Sequence, residues 1–68
     1  MFMVNLFKAK LTEKKKSVPE IAAVIGVNQA TLHRKMNGTS DFTRNEIQLI
    51  RHALSLTVEE VDNIFFAS

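Results

Sequence analysis

Three times in this 68-residue chain a serine or threonine is followed three places later by glutamate: Ser17 by Glu20, Thr43 by Glu46 and Thr57 by Glu60. Each pair has the form of a capping box. The hydroxyl accepts from the amide three residues on, and the carboxylate accepts from the cap's own amide, so two donors that a helix start leaves open are closed together. Pro19 fits the first turn of its helix, where its missing N–H would have had no partner. Asn28 marks a fourth start and Asn5 a weaker one. Apolar pairs flank three of these starts as hydrophobic staples: Val27 with Leu32, Phe42 with Ile47, and Leu56 with Val61. Strand signals are missing, since there is no Tyr or Trp and no sustained apolar–polar alternation. The pattern predicts an all-α chain of five short helices, roughly at 5–15, 18–25, 29–37, 44–54 and 58–66. Gly26 and Gly38 end the second and third, and Lys15 takes a position after the first where glycine is commoner.

Helical spacing nominates the core: Phe7 and Leu11, then Ile21, Ala22 and Ile25, then Leu32 and Met36, then Ile47, Ile50 and Leu54, and finally Val61, Ile64 and Phe65. All links are short, which predicts one domain over 1–68. A domain this small buries only about 60% of the surface its unfolded chain exposes. With no cysteine there is no disulfide or thiolate–metal staple, so a second copy would add useful burial. The apolar ends, Met1–Val4 and Phe65–Phe66, are left over. One is expected to cover the core, and the remaining surface suits either a dimer contact or a self-contained monomer. No apolar run is long enough to span a bilayer, and the start lacks the pattern of a signal peptide, so a cytoplasmic protein is expected.

The net charge is +2, from 9 basic and 7 acidic residues, too low for binding driven by phosphates alone. Its distribution is uneven. Residues 1–16 carry Lys8, Lys10, Lys14, Lys15 and Lys16 against Glu13, and residues 57–68 carry Glu59, Glu60 and Asp62 with no base. This suggests one end near phosphates and the other away from them, though a solvated lysine face gives the same composition. The third helix is the sharper signal. Around its buried residues stand Gln29, Thr31, His33, Arg34 and Lys35, with no acid. A helix that needs only solubility usually mixes signs. One whose outer face meets phosphates and base edges carries donors and cations.

The second helix, a tight turn at Gly26-Val27-Asn28 and the third helix have the proportions of a helix-turn-helix at about 18–36. Ala22 is small where the two helices must approach, and Gly26 accepts the positive φ of the turn. The stretch SVPEIAAVIGVNQATLHRKMNGTSDF, residues 17–42, resembles the lambda-repressor-like family of phage Cro proteins and repressors. The spacing of Ala22, Gly26 and Leu32, with Asn37-Gly38 following, carries the likeness, and LTVEEVDNIFF near the end is similar to short phage regulators of that family. The resemblance implies a compact five-helix fold, a double-stranded operator as ligand and a two-fold homodimer, formed on DNA if the contact is small. By position it implies Gln29, Ala30 and Arg34 at base edges, with adenine, a thymine methyl and guanine as their respective partners, and Asn37 at a phosphate. Thr31, His33 and Lys35 are expected to stand beside them. The family commonly has glutamine at the start of the second helix. Here it is Val18, so the phosphate contact moves to Ser17 or to a backbone amide. The family usually has an apolar residue at Lys35, and Met36 is expected to anchor the helix instead.

Other chemistry is not indicated. His33 and His52 are far apart, with no cysteine and no spaced carboxylates, so no metal site is expected. Nor is there a phosphate-binding glycine loop or an activated nucleophile, and neither an enzyme nor a cofactor or small-molecule ligand is expected. Ser17, Thr43 and Thr57 are already used as caps. The reading from sequence is a Cro-like repressor of phage or prophage type, acting by operator occupancy in a bacterial cytoplasm at the nucleoid. The alternative is a helical protein-interaction module, an antirepressor or antitoxin-like partner that uses the apolar end of the fifth helix.

Overall fold

In the computed structural model, which describes residues 1–67, the helices run α1 (Val4–Glu13), α2 (Val18–Ile25), α3 (Gln29–Met36), α4 (Arg44–Leu54) and α5 (Val58–Phe65), with no strand among the described residues. All three capping boxes close in both directions. The amides of Glu20, Glu46 and Glu60 donate to the cap hydroxyls at 3.3, 3.1 and 3.1 Å, and the amides of Ser17, Thr43 and Thr57 donate to the carboxylates at 3.0, 2.9 and 2.9 Å. The Asn28 carboxamide oxygen accepts from the Thr31 amide at 2.7 Å.

The first helix departs from expectation. It starts from Met3, with no side-chain cap, and Asn5 lies exposed inside it. The reason is tertiary: the Met3 amide donates to the carbonyl of Ile64 at 2.7 Å, so the chain start is hooked to the end of α5 before the helix begins. The far end of α1 is two residues shorter than the apolar pattern suggested, and α3 and α5 are each one residue shorter. Four of the five helices stop in the same way. After α1, α2, α3 and α4 a residue enters the left-handed region, namely Lys15, Gly26, Gly38 and Ser55. Its amide and the next one turn back to carbonyls of the last helical turn, as in the bonds of Lys15 to Thr12 and Lys16 to Leu11.

The core follows the nominated positions, and Phe7, Ile21, Leu32, Ile50 and Leu54 are its largest fully buried side chains. Ala22 is buried too. Helix α2 packs on α3 and α4, α1 packs on α5, and α4 also touches α5, so α4 joins the two halves. Of the two apolar ends, the N-terminal one covers the core. The Phe2 ring lies 5.3 Å from Phe7, 4.9 Å from Phe42 and 5.3 Å from Phe65, at tilts that aromatic pairs favour. Phe66 stays outside, 61% exposed.

The separation of charge along the sequence does not become a separation in space. The basic α1 lies against the acidic α5, Lys10 pairs with Glu60 and with Glu13, and Lys14 pairs with Glu13. The Lys10 ammonium beside Glu60 holds that carboxyl down at about 2, helped by the Thr57 amide. Two of the five lysines of the predicted basic end are therefore paired inside the fold, and Lys8, Lys15 and Lys16 remain exposed without an ion pair among the described residues. No helix among the described residues is long and apolar enough to cross a membrane.

Candidate nucleic-acid interface

Helix α3 leaves the turn at Gly26, Val27 and Asn28, where Gly26 sits at φ 74°. Any side chain there would meet open space, so glycine is favoured by the backbone angle and not by crowding. The inner side of α3 is Leu32, Lys35 and Met36, all buried. At about 100° per residue, Ala30, Arg34 and Asn37 then fall on the opposite side, and His33 beside them. All four are exposed, as is Gln29 in the first turn, and Thr31 is half-buried at the flank. Arg34 makes no ion pair and no side-chain hydrogen bond among the described residues. The first turn of α3 carries no acid, so the positive end of its dipole is opposed by no carboxylate of its own. The structure thus brings six of the eight expected residues together along α3 and its C-cap: Gln29, Ala30, Thr31, His33, Arg34 and Asn37.

The other two are held elsewhere. Lys35, expected on the outer face, is 9% exposed and points inward. Its ammonium donates to the Asp41 carbonyl at 3.0 Å, pairs with Glu46 Oε1 at 3.0 Å and lies 6.0 Å from the centre of the Phe42 ring. The correction has a simple cause. Lys35 stands three residues after Leu32 and one before Met36, which puts it on the buried stripe whatever its charge. That spacing was the available signal. What the sequence did not display was that Glu46, read only as half of a capping box, has room for a second partner. Met36 is buried at 4%, so it does anchor α3, but alongside Lys35 and not in its place. Ser17 is exposed, yet its hydroxyl both accepts from the Glu20 amide and donates to the Glu20 carboxylate at 3.1 Å. A phosphate approaching this end of α2 would meet that carboxylate. Val18 is half-buried against the core.

Burial pushes the Glu46 carboxyl up, but the Thr43 amide and the Lys35 ammonium outweigh it and leave it below the ordinary carboxylate range. The Glu46 carboxyl is therefore held towards its charged form beside Lys35. Among the described residues every buried side-chain nitrogen and oxygen has a partner. His33 and His52 are both exposed.

Compared with known protein families and with curated proteins, the chain matches none of either.

Proposed function

We propose that this protein is a sequence-specific binder of double-stranded DNA, a lambda-repressor-like regulator of the Cro kind that acts by occupying an operator. The observation that carries the reading is the outer face of α3. It is exposed, free of acid and lined with donors, while its inner face is packed against the rest of the chain, so the face has a fixed backing. In this reading α2 and α3 form a helix-turn-helix with α3 in the major groove. Gln29, Ala30 and Arg34 meet base edges, Asn37 meets a phosphate, and Thr31 and His33 stand at the margin. Lys35 and Ser17, whose side chains are committed within the fold, leave the contact set. Lys15 and Lys16 contribute general attraction to the duplex.

Selection from random duplex DNA is the first test, and a recovered motif is the expected result. Arg34→Ala should then cost about 1–3 kcal/mol on that motif and relax the preference at one base pair. An equal loss on every sequence would make Arg34 a phosphate contact. Failure to recover any motif would remove the reading. A second reading, a helical protein-interaction module, draws on Phe66 and Met1, which stand 61% and 84% exposed. It predicts a partner protein and no selected DNA motif.

A further inference from the structure

The buried Lys35 has no part in the contacts proposed for α3, and a lysine on a core stripe calls for a reason. Apolar packing alone would seat α3, because Leu32 and Met36 already lie inside it at 0% and 4% exposure. Such packing is non-directional and tolerates a rotation of the helix about its axis. The contacts of Lys35 have direction. Its ammonium reaches two places at once, the carbonyl of Asp41 and Oε1 of Glu46, each at 3.0 Å. The same Oε1 accepts from the Thr43 amide at 2.9 Å.

These bonds fix the seven-residue loop from Asn37 to Thr43 that joins α3 to α4. At its start the amides of Gly38, Thr39 and Ser40 turn back to carbonyls of Lys35 and Arg34. At its end the Thr43 box begins α4. Between those points the bond from Lys35 to Asp41 is the tie that runs back to α3. One cation therefore links the roll of α3, the path of the loop and the start of α4. Arg34 precedes Lys35 directly in the chain and Asn37 follows it by two places, so any rotation at Lys35 is passed to both.

We infer that Lys35 and Glu46 are positioning residues for the DNA-reading face: their buried pair sets the roll of α3 and the path of the loop after it, so that Arg34 and Asn37 address base and phosphate together. This rests on the DNA-binding reading above. It departs from the expectation that Lys35 stands on the outer face beside the DNA contacts, and the two assign opposite behaviour to the same variants.

The informative variant is Lys35→Met with Glu46→Met. It removes one charge of each sign, so the net charge and the general attraction to DNA stay the same. Apolar side chains of similar volume commonly replace a buried pair without loss of fold. Binding would be measured on the selected duplex and on a scrambled one across a range of salt, with folding followed by circular dichroism. The expected result is a folded protein whose preference for the selected duplex falls by about tenfold or more, with affinity for the scrambled duplex and the salt slope unchanged. Glu46→Gln keeps an acceptor for the Thr43 amide and removes only the charge. It should show a smaller loss of preference, and it supplies the comparison if the double variant does not fold. In the free protein, the amide resonances of residues 37–43 should shift and exchange faster in both variants, while those of α1 and α5 do not. A folded double variant that keeps its preference within about twofold would overturn the inference, as would an unchanged preference in Glu46→Gln. A salt slope lower by about one in Lys35→Met, with equal loss on both duplexes, would make Lys35 a phosphate contact and overturn it as well. If the native protein selects no motif, the DNA-binding reading fails first, and that result is separate from either of these.

Discussion

Lys15 and Ser55 hold the left-handed backbone at φ 56° and 51°, where the side chain crowds the following carbonyl. Gly26 and Gly38 do the same work after α2 and α3 without that cost. Replacing Lys15 or Ser55 by glycine should therefore stabilise the fold, by roughly 1 kcal/mol less the entropy that glycine adds to the unfolded chain. Thermal unfolding of each variant checks this, and a lower melting temperature would show that the side chain contributes more than the strain costs. Lys35 teaches the converse lesson about reading single residues. Its charge suggested the surface, its spacing placed it inside, and spacing prevailed because Glu46 and the Asp41 carbonyl were there to receive the ammonium.

Among the elements, α2 is the one that packs on α3, and α4 packs on α2 in turn. Ala22 on α2 is 3% exposed, so a larger side chain would have to grow into the interior. Ala22→Leu should overpack this crossing by about 1–3 kcal/mol. At about 4–8 °C per kcal/mol for a small domain, the melting temperature should drop by several degrees or more. An unchanged melting temperature would show that the helices approach elsewhere. The contact of α1 with α5 makes a different prediction, because it is partly ionic. Glu60 titrates in the fold at about 2 against an ordinary 4.5, so its contribution is complete above the ordinary value and is lost as the pH falls from about 4.5 towards about 2. Glu46 shifts in the same direction. The native protein should lose some stability over that range, and Glu60→Gln should flatten the acid limb while slightly lowering stability near neutrality. An equally steep limb in Glu60→Gln would assign the acid sensitivity to other groups.

At the scale of the molecule, the radius of gyration is 10.6 Å, close to the roughly 11 Å of a folded domain of this length. The chain closes on itself, and Phe2, Phe7, Phe42 and Phe65 complete the core without a second copy. If the proposed function holds, a dimer would be assembled by the DNA site, since the core does not call for a second copy. In the proposed reading one α3 would cover only a few base pairs, and two copies on a two-fold axis would double that and call for half-sites about 34–36 Å apart. Phe66 is the large apolar side chain left at the end of α5. Sedimentation with and without a palindromic duplex should show a two-to-one complex in which Phe66→Glu weakens cooperativity. Full cooperativity in that variant would move the contact to the exposed Met1.

The local chemistry of the chain was enough to place four helix starts, the two glycine stops and almost every core position. Capping boxes, left-handed glycines and 3.6-residue spacing act within a few residues and need no partner from elsewhere. The exposed face of α3 was legible for the same reason, since burying Leu32 and Met36 on one side leaves Ala30, Arg34 and Asn37 on the other. What the tertiary structure decided lies where distant residues meet. The start of α1 is set by the carbonyl of Ile64, Lys10 is drawn to Glu60, and Phe2, not Phe66, closes the core. Lys35 belongs in that group too. A charge can enter a core only if an opposite charge and a free acceptor stand within bonding distance, and no local pattern shows that Glu46 and Asp41 come there.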